Sequence, residues 1–422
     1  MRVALDHDRA TILVGDSAEL GRMLPPHSVD AIVGDPPAGI AFMGRAWDDD
    51  KGGRDAWIEW LARTIEPAFD ALRPGGHGLF WALPRTSHWT AMALELAGFE
   101  IRDRVTHLFG SGFPKSLNVQ KNLEEQENPR AAAWDGWGTA LKPAAEDWWL
   151  VRKPLDGTVA ANVLAHGTGA MNIDASRIGD AGGGTSCSNR DEHGRCQGHA
   201  NAGQSTSGET FHGPDTSGGR WPAHVVFSHR DECDAARCAP DCAVAELDRQ
   251  SGDRTGAHGR KGGKATRIGY KGQGEPDWLT TDVTASKGGA SRFFYCAKPA
   301  KSETELGLDH LPIRTGGEMT DREDGSAGLS SPRAGAGRGG GRRNFHPTKK
   351  SVALMQYLIR LITPPNGIVL DPFAGSGTTG VAALGAGFRF VGVEQGGTGE
   401  EYVPILLGRI EHALRQLDAR RE

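Results

Sequence analysis

The sequence predicts an α/β protein: a largely parallel sheet with helices on both faces, interrupted by an irregular inserted region. Three observations carry this. Short apolar runs alternate with helically spaced apolar residues over 1–120. The same rhythm returns over 345–422. Between them, 121–344 loses it, with Gly-, Ser-, Asn- and Thr-rich stretches at 179–220 and Gly/Arg-rich ones at 312–344. Strands alternating with helices imply a parallel sheet covered by helices.

In the first part, Thr11–Val14 and Ala31–Val33 read as strands, each ending at a Gly-Asp pair. Trp57, Leu61, Ile65 and Phe69 recur at helical spacing, and Leu79-Phe80-Trp81 follows Pro74-Gly75-Gly76 as a strand follows a turn. In the last part, Met355, Leu358, Ile359 and Ile362 form one helical face, which Pro364-Pro365 ends. Ile368–Leu370 and Phe388–Val393 are strands. The two ends are expected to form one sheet. Apolar islands at Trp221–Phe227 and Arg292–Tyr295 point to a small irregular domain between them. Trp148, Trp149 and Trp221 are expected in its core rather than on a binding surface.

Of 422 residues, 60 are Gly, about twice the usual ~7%, so long loops are expected. No apolar run approaches the ~18 residues of a bilayer span. The start, MRVALDHDRA, has acids and no apolar stretch; a cytoplasmic protein without signal peptide or membrane partner is expected. The net charge is −5, which excludes a uniformly basic coat. Residues 251–301 nevertheless carry 10 Lys/Arg against 4 Asp/Glu, and 333–350 carry 6 against none. Such local basic surface suits phosphates.

The six cysteines are not expected to form disulfides in the cytoplasm. Cys233-x4-Cys238-x3-Cys242, with His229 upstream, has zinc-ligand residue types but not the paired C-x2-C spacing. Reduced thiols in a loop are expected, and no metal at the reaction centre.

Asp371-Pro-Phe-Ala-Gly-Ser-Gly-Thr-Thr-Gly380 lies between a strand and a helical stretch, where open α/β sheets bind ligands. Gly375 and Gly377 let backbone approach a ligand; Ser376 and Thr378 offer hydroxyls. Glu394 ends the next strand, where an acid can hold ribose hydroxyls. A nucleoside triphosphate would want G-x4-G-K-[ST], and no Lys follows here. Gly110-Ser-Gly-Phe-Pro-Lys-Ser116 has Pro114 where a glycine is needed. Gly375, Gly377 and Gly380 do fit G-x-G-x-x-G, so a dinucleotide is the chemical rival. Asp371 disfavours a pyrophosphate and suits a cationic ligand, such as the amino group of S-adenosylmethionine.

A second segment, Gly34-Asp35-Pro36-Pro37-Ala38-Gly39, also follows a strand. Two prolines make it rigid, extended and rich in acceptors. Asp35 and the Pro36 carbonyl together can grip an exocyclic amine.

The two segments together resemble the DNA amino-methyltransferases, whose catalytic motif is [DNS]-P-P-[YF] and whose cofactor motif is D-P-F-x-G-S-G-T-T. The order, with the catalytic segment first and the cofactor segment last, resembles the beta class. His346-Pro-Thr-Lys-Lys350 resembles the family's H-P-T-x-K-P. Gly110–Asn118, Gly136–Pro143 and His166–Asp174 resemble segments of phage-type members. The resemblance covers roughly 10–175 and 218–410. It implies a Rossmann-like methyltransferase sheet with an inserted target-recognition region: 1–120 as the catalytic half, 121–344 as target recognition with flexible Gly-rich loops, and 345–422 as the cofactor half. It implies S-adenosylmethionine as cofactor, double-stranded DNA as partner and a restriction-modification setting whose restriction partner stays open, and it hints at a homodimer. Asp35, Pro36, Pro37 and Ala38 would be catalytic. Asp16, Asp35, His346, Thr348, Asp371, Phe373, Gly375, Ser376, Gly377, Thr378 and Glu394 would bind the cofactor, Asp16 meeting its adenine.

The chain departs from the pattern twice. Ala38 stands where the family has the aromatic that stacks on the flipped base, a contact worth roughly 1–3 kcal/mol in single-strand binding. Phe42, Trp47 or Trp81 would have to substitute, or turnover falls. Ser351 replaces a proline and should only soften a helix start. The resemblance favours adenine N6 over cytosine N4 as the methylated atom, because D-P-P more often marks adenine. No Pro-Cys pair occurs, so carbon-5 methylation is not expected. An impaired protein that binds only cofactor and DNA, a dinucleotide oxidoreductase, and an RNA substrate are the alternatives.

Overall fold

The computed structural model describes residues 1–112, 116–179, 219–234, 237–255, 287–320, 341–396 and 401–420. Most of the basic and Gly-rich stretches (180–218, 256–286, 321–340), with Cys187 and Cys196, lie outside them. The chain divides into two compact units, one of Met1–Asn172, His224–Ala243 and Cys296–Glu422, the other of Ile173–Ala223 and Val244–Tyr295.

The strands are β1 (Arg2–His7), β2 (Ala10–Val14), β3 (Val29–Gly34), β4 (Leu72–Ala82), β5 (Glu100–Phe109), β6 (Ala145–Arg152), β7 (Val225–Ser228), β8 (Arg254–Thr255), β9 (Lys287–Gly288), β10 (Tyr295–Ala297), β11 (Ile368–Asp371) and β12 (Arg389–Glu394). Ten form one sheet in the order β1-β2-β12-β11-β3-β4-β6-β5-β7-β10. Pairing is parallel from β2 through β4 and antiparallel where β6 meets β4 and β5. The helices of the same unit are α1 (Arg54–Ala71), α2 (Ser87–Leu96), α3 (Val119–Glu125), α4 (Val159–His166), and, after α5 (Ala243–Ser251), α6 (Gly316–Thr320), α7 (Val352–Ile362), α8 (Thr378–Gly385) and α9 (Val403–Asp418).

The apolar stripe Trp57, Leu61, Ile65 and Ala68 is fully buried and packs α1 on Leu13, Ile32, Phe80 and Leu370 of the sheet. The last carbonyls of α1 would be orphaned. Lys153 reaches them instead, its Nζ donating to the carbonyls of Phe69 (2.7 Å) and Leu72 (2.9 Å), a cation at the negative end of a helix. In α7 the predicted face is buried, and Ser351 proves to be an N-cap, its Oγ accepting the Leu354 N–H at 3.4 Å. Asp30 in β3 ties the two chain ends together: its carboxylate accepts from Arg73 Nη1 (2.8 Å) and from the Ile368 N–H that opens β11 (2.7 Å).

Two sequence readings change in detail. Pro74-Gly75-Gly76 lies within β4 as an irregularity, not before it, with Gly75 at φ +72°; Asn162 Nδ2 and Thr168 Oγ1 hold the Pro74 carbonyl at 2.9 and 2.6 Å. Residues 121–172, read as part of the inserted region, sit in the unit that holds the sheet. The reason is β6, which lies between β4 and β5 with Trp148 opposite Trp81. Trp148 is fully buried and Trp149 packs on the same core. Val225–Ser228 likewise joins the sheet, parallel to β5.

The second unit is tied by side chains. Asp248 accepts the Ser291 N–H (2.8 Å) and hydroxyl (2.6 Å). Arg220 donates to the Arg292 carbonyl at 3.0 Å, and both guanidinium groups stack on Phe293. Trp221 is half exposed, with the Arg177 guanidinium 5.6 Å from its ring.

Candidate active site

The sheet has a switch point. From β3 the chain crosses through α1 to β4 on one side; from β11 it crosses through α8 to β12 on the other. Between β11 and β3 a crevice must open at the carboxyl ends of the strands. A cavity of about 520 Å³ lies there, within the ordinary range for cofactor sites. Asp16, Asp35, Pro37, His346, Thr348, Asp371, Phe373, Gly375, Ser376, Thr378 and Glu394 all line it; Pro36, Ala38 and Gly377 do not.

The glycine-rich turn owes its shape to packing as much as to any ligand. Gly375 (φ +52°) and Gly377 (φ +78°) are in the left-handed region. A Cβ on Gly375 would lie 2.8 Å from His346 Nε2, and one on Gly377 2.8 Å from Leu406 Cδ1. Gly375 donates its N–H to Glu394 Oε2 at 2.6 Å, joining the ends of β11 and β12. Arg409, only 2% exposed, donates from Nη1 to the Ser376 carbonyl (2.7 Å) and Thr378 Oγ1 (3.0 Å). It was not anticipated, although its place among Ile405, Leu406 and Ile410 on the apolar stripe of α9 marks it as a buried charge with a task.

Three carboxylates meet at the cavity, Asp371 and Glu394 buried and Asp35 partly so. Burial pushes Asp371 up to about 7, against the pull of its hydrogen bonds from Thr379 and the Phe373 N–H. Burial likewise pushes Glu394 up to about 8, with the Asp371 charge adding to it. Asp35 is also raised by burial, opposed by Lys350. Burial drives His346 down to about 3, with Lys349 and Lys350 adding to the shift. It is therefore a neutral imidazole at pH 7; its ring meets Tyr402 edge-on at 4.5 Å, and its Nδ1 accepts the Thr348 N–H at 3.4 Å.

Lys350 Nζ bonds Asp35 Oδ2. Nearby Glu146 on β6 is pushed up by burial but held at about 2, because Lys350 and its neighbour His107 outweigh that. The loop after Pro37 is organised by a residue not anticipated. Buried Asp48 accepts the N–H groups of Ala38 (2.5 Å), Gly39 (3.0 Å) and Phe42 (2.8 Å). Thr86 Oγ1 donates to the Ala38 carbonyl at 2.8 Å. Of the three rings proposed to replace the missing aromatic, only Trp47 lines the cavity; Trp60, not anticipated, lines it too.

Residues 318–406 match the family model described as DNA methylase, of the N6/N4 type. Over 68 residues the chain is 44% identical to the DNA adenine methyltransferase YhdJ of Escherichia coli (strain K12), covering 16% of this chain and 22% of that protein. Over 84 residues it is 37% identical to the Type II methyltransferase M.ScaI of Streptomyces caespitosus, covering 20% of this chain and 27% of that protein. The chain thus aligns with about a quarter of the length of these relatives. A crystal structure of an M1.HpyAVI–SAM complex is similar with a TM-score of 0.38 and 16% identity, over 95% of this chain and 98% of that one.

Proposed function

We propose that this chain, whose residues 318–406 are a DNA methylase segment of the N6/N4 type, is an S-adenosylmethionine-dependent DNA amino-methyltransferase. The observation that carries this reading is one cavity at the switch point lined by two buried carboxylates, Asp371 and Glu394, with the partly buried Asp35 beside them. Burial pushes both Asp371 and Glu394 up, with the Asp35 charge adding to the first shift and the Asp371 charge to the second. A cationic ligand is what such a site selects. A pyrophosphate is what it rejects, which disfavours the oxidoreductase reading.

The residues fit the cofactor. Asp371 would hold its amine, Glu394 its ribose, Asp16 and Phe373 its base, and the 375–378 turn would approach its backbone. When bound, S-adenosylmethionine supplies an electrophilic methyl group. Asp35 and the Pro36 carbonyl accept hydrogen bonds from the exocyclic amine of a base extruded from the duplex, turning the nitrogen lone pair toward the methyl. Lys350 occupies Asp35 Oδ2, so Oδ1 is the oxygen that meets the amine. As the nitrogen becomes positive, the Asp35 charge stabilises it and takes the proton it sheds. Positioning supplies the remainder.

The base is adenine N6, with cytosine N4 as the alternative, and the partner is duplex DNA held through basic loops. Transfer of labelled methyl groups to mixed-sequence duplex, followed by nucleoside chromatography, tests reaction and base together. Ala38→Tyr is the informative comparison. Ala38 is held at its N–H and carbonyl by Asp48 and Thr86, so the loop can present a larger side chain. Transfer by both proteins means another ring stacks on the base. Transfer only by Ala38→Tyr means the chain binds cofactor and DNA but is impaired. Cofactor binding without transfer by either would overturn the DNA reading. Sedimentation tests the expected homodimer.

A further inference from the structure

The loop that joins β7 to α5 has no part in methyl transfer, yet four of its side chains converge on one point. The donor atoms of His229, Cys233, Cys238 and Cys242 all lie within 4.8 Å of one another. His229 Nδ1 is 3.4 Å from the Sγ of Cys238 and 3.4 Å from that of Cys242. None of the three cysteines is disulfide-bonded. With Zn–S of about 2.3 Å and Zn–N of about 2.0–2.1 Å, a tetrahedral site has N···S edges of about 3.6 Å and S···S edges of about 3.8 Å. The two His229–cysteine distances match that edge, and no donor pair is more than 4.8 Å apart, so a small inward shift would complete the site.

We propose that His229, Cys233, Cys238 and Cys242 form a closed tetrahedral zinc site. The spacing alone argued for reduced thiols in a loop; the fold supplies the missing argument by bringing the histidine to them. The loop is built to hold the ligands. The His229 N–H donates to the Ala297 carbonyl at 2.8 Å, which fixes the first ligand to β10. Turns closed by Cys233 N–H to the Arg230 carbonyl (3.0 Å) and Cys242 N–H to the Ala239 carbonyl (3.0 Å) aim the sulfurs inward. The Ala239 N–H points at Cys233 Sγ at 3.2 Å, a bond that steadies a thiolate. Cys233 and Cys242 are buried. An ion pair from Arg230 to Asp241 clasps the loop from outside.

Four protein ligands leave no open position, so the ion is structural. Binding it releases the three thiol protons to solvent. The ion's task is to lock β7 to the start of α5, in place of the apolar packing that so short a loop lacks.

The full-length chain, purified without chelator, should contain about one zinc per chain by plasma mass spectrometry. Cobalt(II) exchanged into it should give the intense visible bands of a tetrahedral thiolate site. Cys238→Ser and His229→Ala should lower zinc content and weaken or lose those bands, while Cys296→Ser, outside the cluster, should change neither. Absence of stoichiometric zinc after anaerobic reconstitution, together with no cobalt band in the unaltered chain, would overturn the proposal. So would full zinc retention by the Cys238→Ser/Cys242→Ser double variant. If the variants do not fold, the cobalt spectrum of the unaltered chain decides.

Discussion

Lys350 Nζ lies 2.7 Å from Asp35 Oδ2 and 4.2 Å from the centre of the Trp81 ring. The pair links the Asp-Pro-Pro segment after β3 to the segment before α7, across more than three hundred residues of sequence. The lysine opposes the effect of burial on Asp35. Lys350→Met removes that opposition, so Asp35 stays protonated to higher pH and loses its acceptor charge. Transfer at pH 7 should fall roughly ten- to a hundredfold, and the acidic limb of the pH–rate profile should move upward. An unmoved limb would mean that Asp35 does not carry the reaction.

If Asp371 and Glu394 hold the proposed cofactor, its binding should depend on pH. Their folded values, about 7 and about 8, lie above those of unfolded carboxylates. The stability they contribute is therefore complete below about pH 4 and is lost as pH rises through 7 and 8. Without cofactor, the melting temperature should fall between about pH 4 and 8 and level off above that, and Asp371→Asn should flatten the fall. A cationic ligand favours the ionised carboxylates, so its binding should release protons near pH 7. Calorimetry in buffers of different ionisation enthalpy measures that release.

Asp48→Ala should destabilise the protein by about 2–4 kcal/mol, because three backbone donors lose their acceptor. Asp48→Asn, which keeps one oxygen, should lose less. Denaturant titration measures both. Transfer should suffer more than cofactor binding, since the loop belongs to the Asp-Pro-Pro segment.

Gly375→Ala combines a left-handed backbone with a Cβ 2.8 Å from His346. A loss of about 1–3 kcal/mol is expected, with weaker cofactor binding because His346 must shift. Gly387→Ala, at φ +88° with nothing within 4 Å of its Cβ, is the control. It should cost only the backbone term, about 1 kcal/mol, and leave binding unchanged by titration.

The elements with strong periodicity were legible: the α1 and α7 stripes and the runs of β2, β3, β11 and β12 fall where the sequence placed them. Most of the site was legible too, because local turns at strand ends carry it. What escaped was non-local. β6 could not be assigned to the sheet because its partners, β4 and β5, precede it and its own flanks are irregular. Asp48 is one acid among several, and only the fold turns it back onto Ala38. Arg409 did leave a trace, a charge on an apolar stripe. Lys350 lay inside a quoted motif but gained a role only when Asp35 was seen beside it. Gly375 and Gly377 were assigned to ligand approach, yet the space beside each is already filled by His346 and Leu406.

The pairing of β3 with β11 (Ala31 with Val369) also sets the order of events during synthesis. When β3 and β4 have left the ribosome, the edge that β11 will cover is bare. About 290 residues must still be made before β11 is complete, which takes roughly 15–60 s at ~5–20 residues per second. For that time the apolar middle of the sheet has an open edge and the cavity has only one wall. The nascent chain is then exposed to pairing with other strands, and a holding chaperone has its longest opportunity to act. The cavity gains its second wall only after Asp371 and Glu394 have emerged.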